Sequence, residues 1–285
     1  MTSIAYVNGA FVPLADARIS VLDRGFLFAD GIYEVAAVVG GRLIDNASHL
    51  ARLERSLGEI GLTCPVSMAE LEQLQHELVA RNALDEGLVY VQVTRGAGDG
   101  RDFVAPSDLP PTLVMFVTPK RIIDAPAART GIKVKTLPDL RWARRDIKSV
   151  ALLAQVLAKQ AAHEAGCDEA WMLADDGTIT EGASSTAFIL TQDNVIVTRP
   201  NSQAILPGCT GAAVGALAAE AGISLERRAF TLEEALAARE AFITSASTFV
   251  MPVVEIDGQP IGDGGPGRVA TRLRELYIAA VVSAG

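Results

Sequence analysis

Apolar and polar positions change period several times along the chain, and each change marks an element. Alternating apolar residues in IAYV and AFVP, with Asn8-Gly9 between them, predict a hairpin, and Gly40-Gly41 does the same between IYEVAAVV and RLI. In ASHLARLERSLGEIG the period lengthens: Leu50, Leu53, Leu57 and Ile60 recur at helical spacing, and Gly61 makes a stop. Ser67 with Glu70 is a capping-box signature ahead of a helix that carries Leu71, Leu74 and Leu78. LVYVQVTR (88–95) and TLVMFVT (112–118) read as buried strands. They are parted by GAGDGRDFVAPSDLPP, sixteen residues rich in Gly, Asp and Pro, longer than the usual structureless connection and so a hint of function.

The second half mixes the two periods. IKVKTL (132–137) predicts a strand, and SVALLAQVLAKQAAHEAG (149–166) a helix with a glycine stop. EAWMLA and STAFILT read as buried strands around the turn Asp175-Asp176-Gly177. Thr231 with Glu234 caps another helix, EAFITS (240–245) is a strand, and a last helix covers about 267–281. The polar, Pro-bearing PKRIIDAPAART (119–130) is the expected linker between a smaller domain, 1–118, and a larger one, 131–285. The order of elements makes the chain α+β.

Composition narrows the function. A net charge of −9 and a pI near 4.9 oppose binding to a phosphate backbone, which needs clustered Lys and Arg, so no nucleic-acid partner is expected. No apolar run approaches the roughly 20 residues that cross a bilayer, and MTSIAYVNGA lacks a basic start followed by an apolar stretch. A soluble, cytoplasmic protein with no membrane partner is expected. Cys64, Cys167 and Cys209 form no CxxC pair, and His49, His76 and His163 are scattered, so no metal site is expected.

Three stretches carry candidate chemistry. In RWARRDIKSV (141–150), Lys148 stands between Ile147 and the expected helix start at Val150, with Ser149 a candidate N-cap. A helix dipole and desolvation there lower a lysine's proton affinity, which suits a nucleophile or Schiff-base former. With Arg144 and Arg145 beside it, the stretch reads equally as a solvated basic cluster, the commoner state of lysine. In TITEGASSTAFIL (178–190), Glu181 ends a strand and could face a cationic ring nitrogen, or solvent. In AILPGCTGAAVGAL (204–217), a Gly-containing turn feeds a helix whose N–H groups at Cys209 and Thr210 could cradle a phosphate, or simply begin a helix. FITSAST (242–248), a strand running into small hydroxyl residues, is open in the same way.

Taken together in order, DRGFLFADGIYEV (23–35), SHLARLERS (48–56), YVQVTRG (90–96), RRDIKSVALLAQVLAKQAAHEAGCDEA (144–170), TEGASSTAF (180–188), ILPGCT (205–210) and FITSAST resemble fold-type IV pyridoxal-5′-phosphate (PLP) enzymes, the class IV aminotransferases. Within these the chain is most similar to bacterial D-amino-acid transaminases. The resemblance implies a two-domain fold: a smaller α/β N-terminal domain and a larger C-terminal domain around a β-barrel-like core, with PLP between them. It implies that Lys148 holds the cofactor as a Schiff base and shuttles the proton in catalysis. It places Glu181 at the pyridine nitrogen, with Arg141 a buried arginine on its side, and Leu206 against the ring. Arg52, Cys209, Thr210, Ser245 and Ala246 fall on the phosphate, Ala246 through its backbone only. Tyr33 and Val35 face the substrate.

The same resemblance implies a ping-pong exchange between a small amino donor, a D-amino acid such as D-alanine or D-glutamate, and a 2-oxo acid acceptor. It implies a homodimer in which the loop around Arg101 reaches the neighbouring active site to hold the substrate carboxylate. Here the sequence departs from the family: Phe103 stands where histidine is expected, the loop is one residue longer before Arg101, and Ala37 replaces a lysine found in some relatives. An (R)-selective amine transaminase, a branched-chain aminotransferase and aminodeoxychorismate lyase are alternatives on this scaffold, and Phe103 favours the amine reading. A PLP-binding carrier without turnover would not need Lys148, Glu181 and Tyr33 together.

Overall fold

The computed structural model describes residues 3 to 283, which divide into two compact units. The first runs to Arg121 and takes in Ile147–Ala151; the second holds Ile122–Asp146 and the chain from Leu152 onward.

The first unit contains β1 (Ile4–Val7), β2 (Ala10–Pro13), α1 (Arg24–Phe28), β3 (Gly31–Val39), β4 (Arg42–Leu43), α2 (Asn46–Glu59), α3 (Met68–Arg81), β5 (Glu86–Thr94) and β6 (Thr112–Pro119). Its sheet runs β2-β1-β6-β5-β3-β4 and is antiparallel throughout. Both expected hairpins form, with Asn8 and Gly9, then Gly40 and Gly41, at the positive φ a tight turn needs. Period 2 divides the sheet's faces. Val89, Val91 and Val93 of β5 and Leu113 and Met115 of β6 are sealed in one core with Leu53 and Leu57 of α2 and Leu71 and Leu78 of α3. Each such leucine is worth about 1.5–3 kcal/mol in buried surface. On the other face Tyr33, Val35, Tyr90, Gln92 and Phe116 are only half-buried. Ser67 accepts from the Glu70 N–H, which is one half of the expected capping box.

The second unit contains α4 (Ala127–Thr130), β7 (Ile132–Pro138), α5 (Leu153–Glu164), β8 (Glu169–Leu173), β9 (Ile179–Gly182), β10 (Thr186–Leu190), β11 (Ile196–Thr198), α6 (Cys209–Glu220), β12 (Leu225–Arg227), α7 (Leu232–Leu236), β13 (Glu240–Ser245), β14 (Phe249–Ile256), β15 (Gln259–Pro260) and α8 (Arg268–Ser283). Its nine-stranded mixed sheet runs β12-β11-β10-β13-β14-β7-β8-β9, with β15 paired to β14. The Gly182 N–H donates to Ser185 O, so end strand β9 leads straight into β10 and the sheet curls on itself. Trp171, Phe230, Phe242 and Phe249 are fully buried in this unit. Thr231 and Glu234 complete both halves of a capping box at α7.

Two expectations need correction. The helix after Lys148 begins at Leu153, and Ser149 is not its N-cap. Residues 148–150 are committed to pairing: Lys148 O accepts from Tyr33 N at 3.1 Å, Ser149 bridges Ile32, and Val150 N donates to Gly31 O at 3.0 Å. A residue whose backbone extends a sheet cannot also open a helix. The same pairing puts Ile147–Ala151 in the first unit, whereas 131–285 was expected to be one domain. The strand β14 is an element the sequence pattern does not announce, because Pro252 interrupts its apolar run; it sits opposite Phe242 inside the ladder.

Among the described residues no helix is long and apolar enough to cross a membrane.

Candidate active site

In the first unit the site grows from β3 and the segment beside it. Strand alternation sends Tyr33 and Val35 to the open face and Glu34 to the face beneath α2. Lys148 is held at both ends of its peptide: its N–H points to the Ser56 hydroxyl at 3.4 Å, and its carbonyl takes the Tyr33 N–H. Its Nζ lies 4.3 Å from the centroid of the Tyr33 ring, a cation–π distance. Tyr33 stacks on Tyr90 at 5.6 Å, and Tyr90 on Phe116 at 4.8 Å, so the ring under the lysine is itself supported. Burial pushes the Tyr90 phenol up, which keeps it protonated as it donates to Gln92 Oε1. Lys148 does not stand at a helix N-terminus, so the dipole argument for its reactivity does not apply; its neighbours are Tyr33 and Ser56.

Arg52 lies on α2 in a buried cluster. Its Nε and Nη2 donate to the two Glu34 oxygens at 2.7 and 2.9 Å, and His49 Nδ1 lies 2.9 Å from Glu34 Oε2. Burial disfavours the Glu34 charge, but Arg52, His49 and Lys148 outweigh it and bring its pKa down to about 2. Sequence reading missed Glu34 and His49. The signal was there: His49 and Arg52 are three apart on α2, hence on one face, and Glu34 is the one carboxylate that β3 turns to that side.

Arg101 and Phe103 stand on the long loop of the same unit. Arg101 Cζ lies 5.1 Å from the Phe28 ring centroid and 5.4 Å from that of Phe103, and the two phenyl rings are 5.3 Å apart. Phe103 is 77 % exposed.

In the second unit Glu181 is the last residue but one of β9 and is fully enclosed. Arg141 Nη1 donates to its Oε1 at 2.5 Å, and the Leu206 N–H donates to the same oxygen at 3.0 Å. Burial raises the Glu181 pKa, and Arg141 acts against that rise. Arg141 is in turn gripped by Asp139, which also accepts from Thr180 and pairs with Arg145. Asp139 was not foreseen; its role appears only once the chain folds back from 180 to 139.

Cys209 and Thr210 open α6, whose N-cap is Gly208 with no side-chain cap hydrogen bond. A Cβ at Gly208 would come within 2.5 Å of Thr186 Oγ1, so only glycine lets the turn lie that close. The Thr244 hydroxyl is buried with no hydrogen-bond partner among the described residues, and a Cβ at Gly211 would come within 3.1 Å of it. Ser245 Oγ meets Ser247 Oγ at 3.2 Å and Thr248 Oγ1 at 2.8 Å, and Ala246 follows in the turn. An uncapped helix start with hydroxyl residues around it suits a phosphate, and an arginine-backed, enclosed carboxylate suits a protonated ring nitrogen. An amine on an aromatic ring suits a carbonyl carbon. The donor set therefore fits PLP.

Comparison with known proteins agrees with this chemistry. The amino-transferase class IV family model matches residues 31–256. A D-alanine aminotransferase of Bacillus licheniformis is 39% identical over 278 residues, 97% of this chain and 96% of the relative. One of Staphylococcus aureus (strain MSSA476) is 36% identical, covering 95% of each chain. Among solved structures, a branched-chain aminotransferase of the thermophilic archaeon Thermoproteus uzoniensis with norvaline superposes with a TM-score of 0.87 at 25% identity, over 99% of this chain and 96% of that one. The branched-chain amino acid aminotransferase of Escherichia coli, at 22% identity and a TM-score of 0.89 over 98% and 94%, shares the fold. A buried carboxylate, an uncapped helix and a lysine set on a tyrosine thus stand on a chain matched over most of its length, and the chain belongs to the class IV aminotransferases.

Proposed function

We propose that this aminotransferase moves the amino group of a D-amino acid, such as D-alanine or D-glutamate, to a 2-oxo acid by a ping-pong exchange. The observation that carries the reading is the near-complete match to relatives named D-alanine aminotransferases, set against weaker identity to the branched-chain enzymes that share the fold. PLP, the cofactor of the family, supplies a carbonyl that accepts the amino group and a ring that takes up electron density.

The chain's own residues then have separable tasks. Lys148 Nζ anchors the cofactor and, once released, carries a proton from the donor's Cα, acting as base and then as acid. Glu181 faces the ring nitrogen, and Arg141 opposes the rise in its pKa that burial causes. Leu206 packs on the ring while its N–H fixes the carboxylate. Cys209, Thr210, Ser245 and the Ala246 backbone take the phosphate, with Arg52 as its cation. Tyr33 and Val35 face the substrate, and Arg101 takes its carboxylate, reaching the neighbouring site of a homodimer. The protein acts in the cytoplasm.

The exposed Phe103 ring, packed on Phe28 where a second polar donor is expected, supports some acceptance of (R)-amines that lack a carboxylate. The test is a donor panel of D-alanine, D-glutamate, L-leucine and (R)-1-phenylethylamine against pyruvate and 2-oxoglutarate. D-Alanine and D-glutamate should be the best donors. A preference for L-leucine would refute the D-specific reading.

A further inference from the structure

Arg24 is a buried arginine on α1, 7 % exposed, that no step of the reaction uses. Its three donor nitrogens are all spent. Nη1 donates to Asp102 O at 2.6 Å, Nη2 to Phe103 O at 2.8 Å, and Nε to Asp30 Oδ2 at 2.9 Å. Its guanidinium also lies 4.7 Å from the Phe28 ring centroid, the ring that Arg101 and Phe103 both approach. Asp30 Oδ2 is shared: Arg95 Nε donates to it at 2.8 Å, while Arg95 Nη2 holds Ile60 O, just past the end of α2, at 2.7 Å. Burial disfavours the Asp30 charge, and Arg95 with Arg24 outweighs that and lowers its pKa.

A loop of sixteen residues would ordinarily sample many backbone conformations, and its ends alone would not orient Arg101 and Phe103. Two carbonyls fixed by one planar fork set both the position and the rotation of the Asp102–Phe103 peptides, and hence the directions of the side chains on either side. Lysine could not do this, because a single ammonium has no rigid pair of donors.

We infer that Arg24, anchored through Asp30 and Arg95, is a positioning residue for substrate specificity: it fixes the loop so that Arg101 and Phe103 are presented together to the substrate. The inference rests on the proposed role of Arg101, and the tests separate the two.

In the holoenzyme, Arg24→Lys keeps the charge but loses the fork. The Val104 backbone amide, whose N–H donates to Asp102 Oδ1 at 3.0 Å, should exchange with deuterium about tenfold faster, the effect of losing about one charged hydrogen bond. KM for D-alanine should rise by about the same factor with kcat within about twofold, since carboxylate positioning is lost and the proton-transfer residues are untouched. KM for (R)-1-phenylethylamine should move less than about twofold. Asp30→Asn, which keeps both arginines, should shift exchange and KM in the same direction by less, and serves if Arg24→Lys does not fold. Unchanged exchange in both variants would overturn the inference. Faster exchange with an unaltered KM for D-alanine, or an equal rise for both donors, would overturn the specificity role. Arg101→Ala tests the underlying reading alone: if its KM for D-alanine is normal, the assignment of Arg101 falls, while the exchange data still report whether Arg24 holds the loop.

Discussion

Replacing Glu34 by glutamine removes a single negative charge from between His49 and Arg52 and keeps the length of the side chain. The structure sets the size of the effect. A carboxyl held at about 2 in the folded protein, against an ordinary value of 4.5, contributes about 3 kcal/mol at neutral pH. Loss of one partner of a buried pair falls in the same range, about 3–5 kcal/mol, because Arg52 would lose the carboxylate that takes its Nε and Nη2. The sign follows from the direction of the shift. A depressed carboxyl pKa stabilises above the unfolded value and ceases to do so as pH falls through the folded one. The gap between wild type and Glu34→Gln should therefore be about 3 kcal/mol at pH 7, shrink to about half or less by pH 3, and nearly vanish by pH 2. Equilibrium urea unfolding of both proteins, followed by tyrosine and tryptophan fluorescence at several pH values, measures it. A gap of constant size down to pH 3 would refute the assignment of this acid-labile stability to Glu34.

Lys148→Ala should abolish transamination, measured as turnover of D-alanine with 2-oxoglutarate; ordinary turnover in the purified variant would exclude the proposed anchor and proton carrier. Glu181→Gln should retain bound cofactor but slow proton removal from the donor in single-turnover kinetics, and should leave Arg141 partly unpaired. Phe103→His should lower KM for D-alanine by about tenfold through one added charged hydrogen bond and raise it for (R)-1-phenylethylamine, read from steady-state kinetics of both donors.

How much of this was legible in the sequence depended on whether the relevant contacts were local. Strand alternation and helical spacing sufficed for β1 to β6, α2 and α3, because their core positions are set by period alone. Lys148 and Glu181 carry no local signature that separates them from surface residues, and only the ordered set of motifs singled them out. Ser149 misled because strong helix formers begin beside it, while its actual commitment, a bridge to Ile32, lies far back in the chain. Arg24 and Asp139 were invisible for the same reason. The carbonyl that Arg24 holds is 78 residues away, and the carboxylate that shares Arg141 with Asp139 is 40 residues from that arginine.

The return of Ile147–Ala151 to the first unit makes that unit discontinuous in sequence. A fragment ending at Arg121 would lack the five residues that cover Gly31, Ile32 and Tyr33, leaving their outward N–H and C=O groups as an open strand edge. Such an edge is a template for pairing with other chains, so the isolated fragment should aggregate through the strand edge that the intact protein covers. During synthesis the first unit cannot close until Ala151 has emerged, well after its last sheet strand. A split version of this enzyme should accordingly be cut beyond Ala151, in the part of the second unit that runs from Leu152 onward, since a break between Arg121 and Ile147 separates the lysine from the strand that holds it.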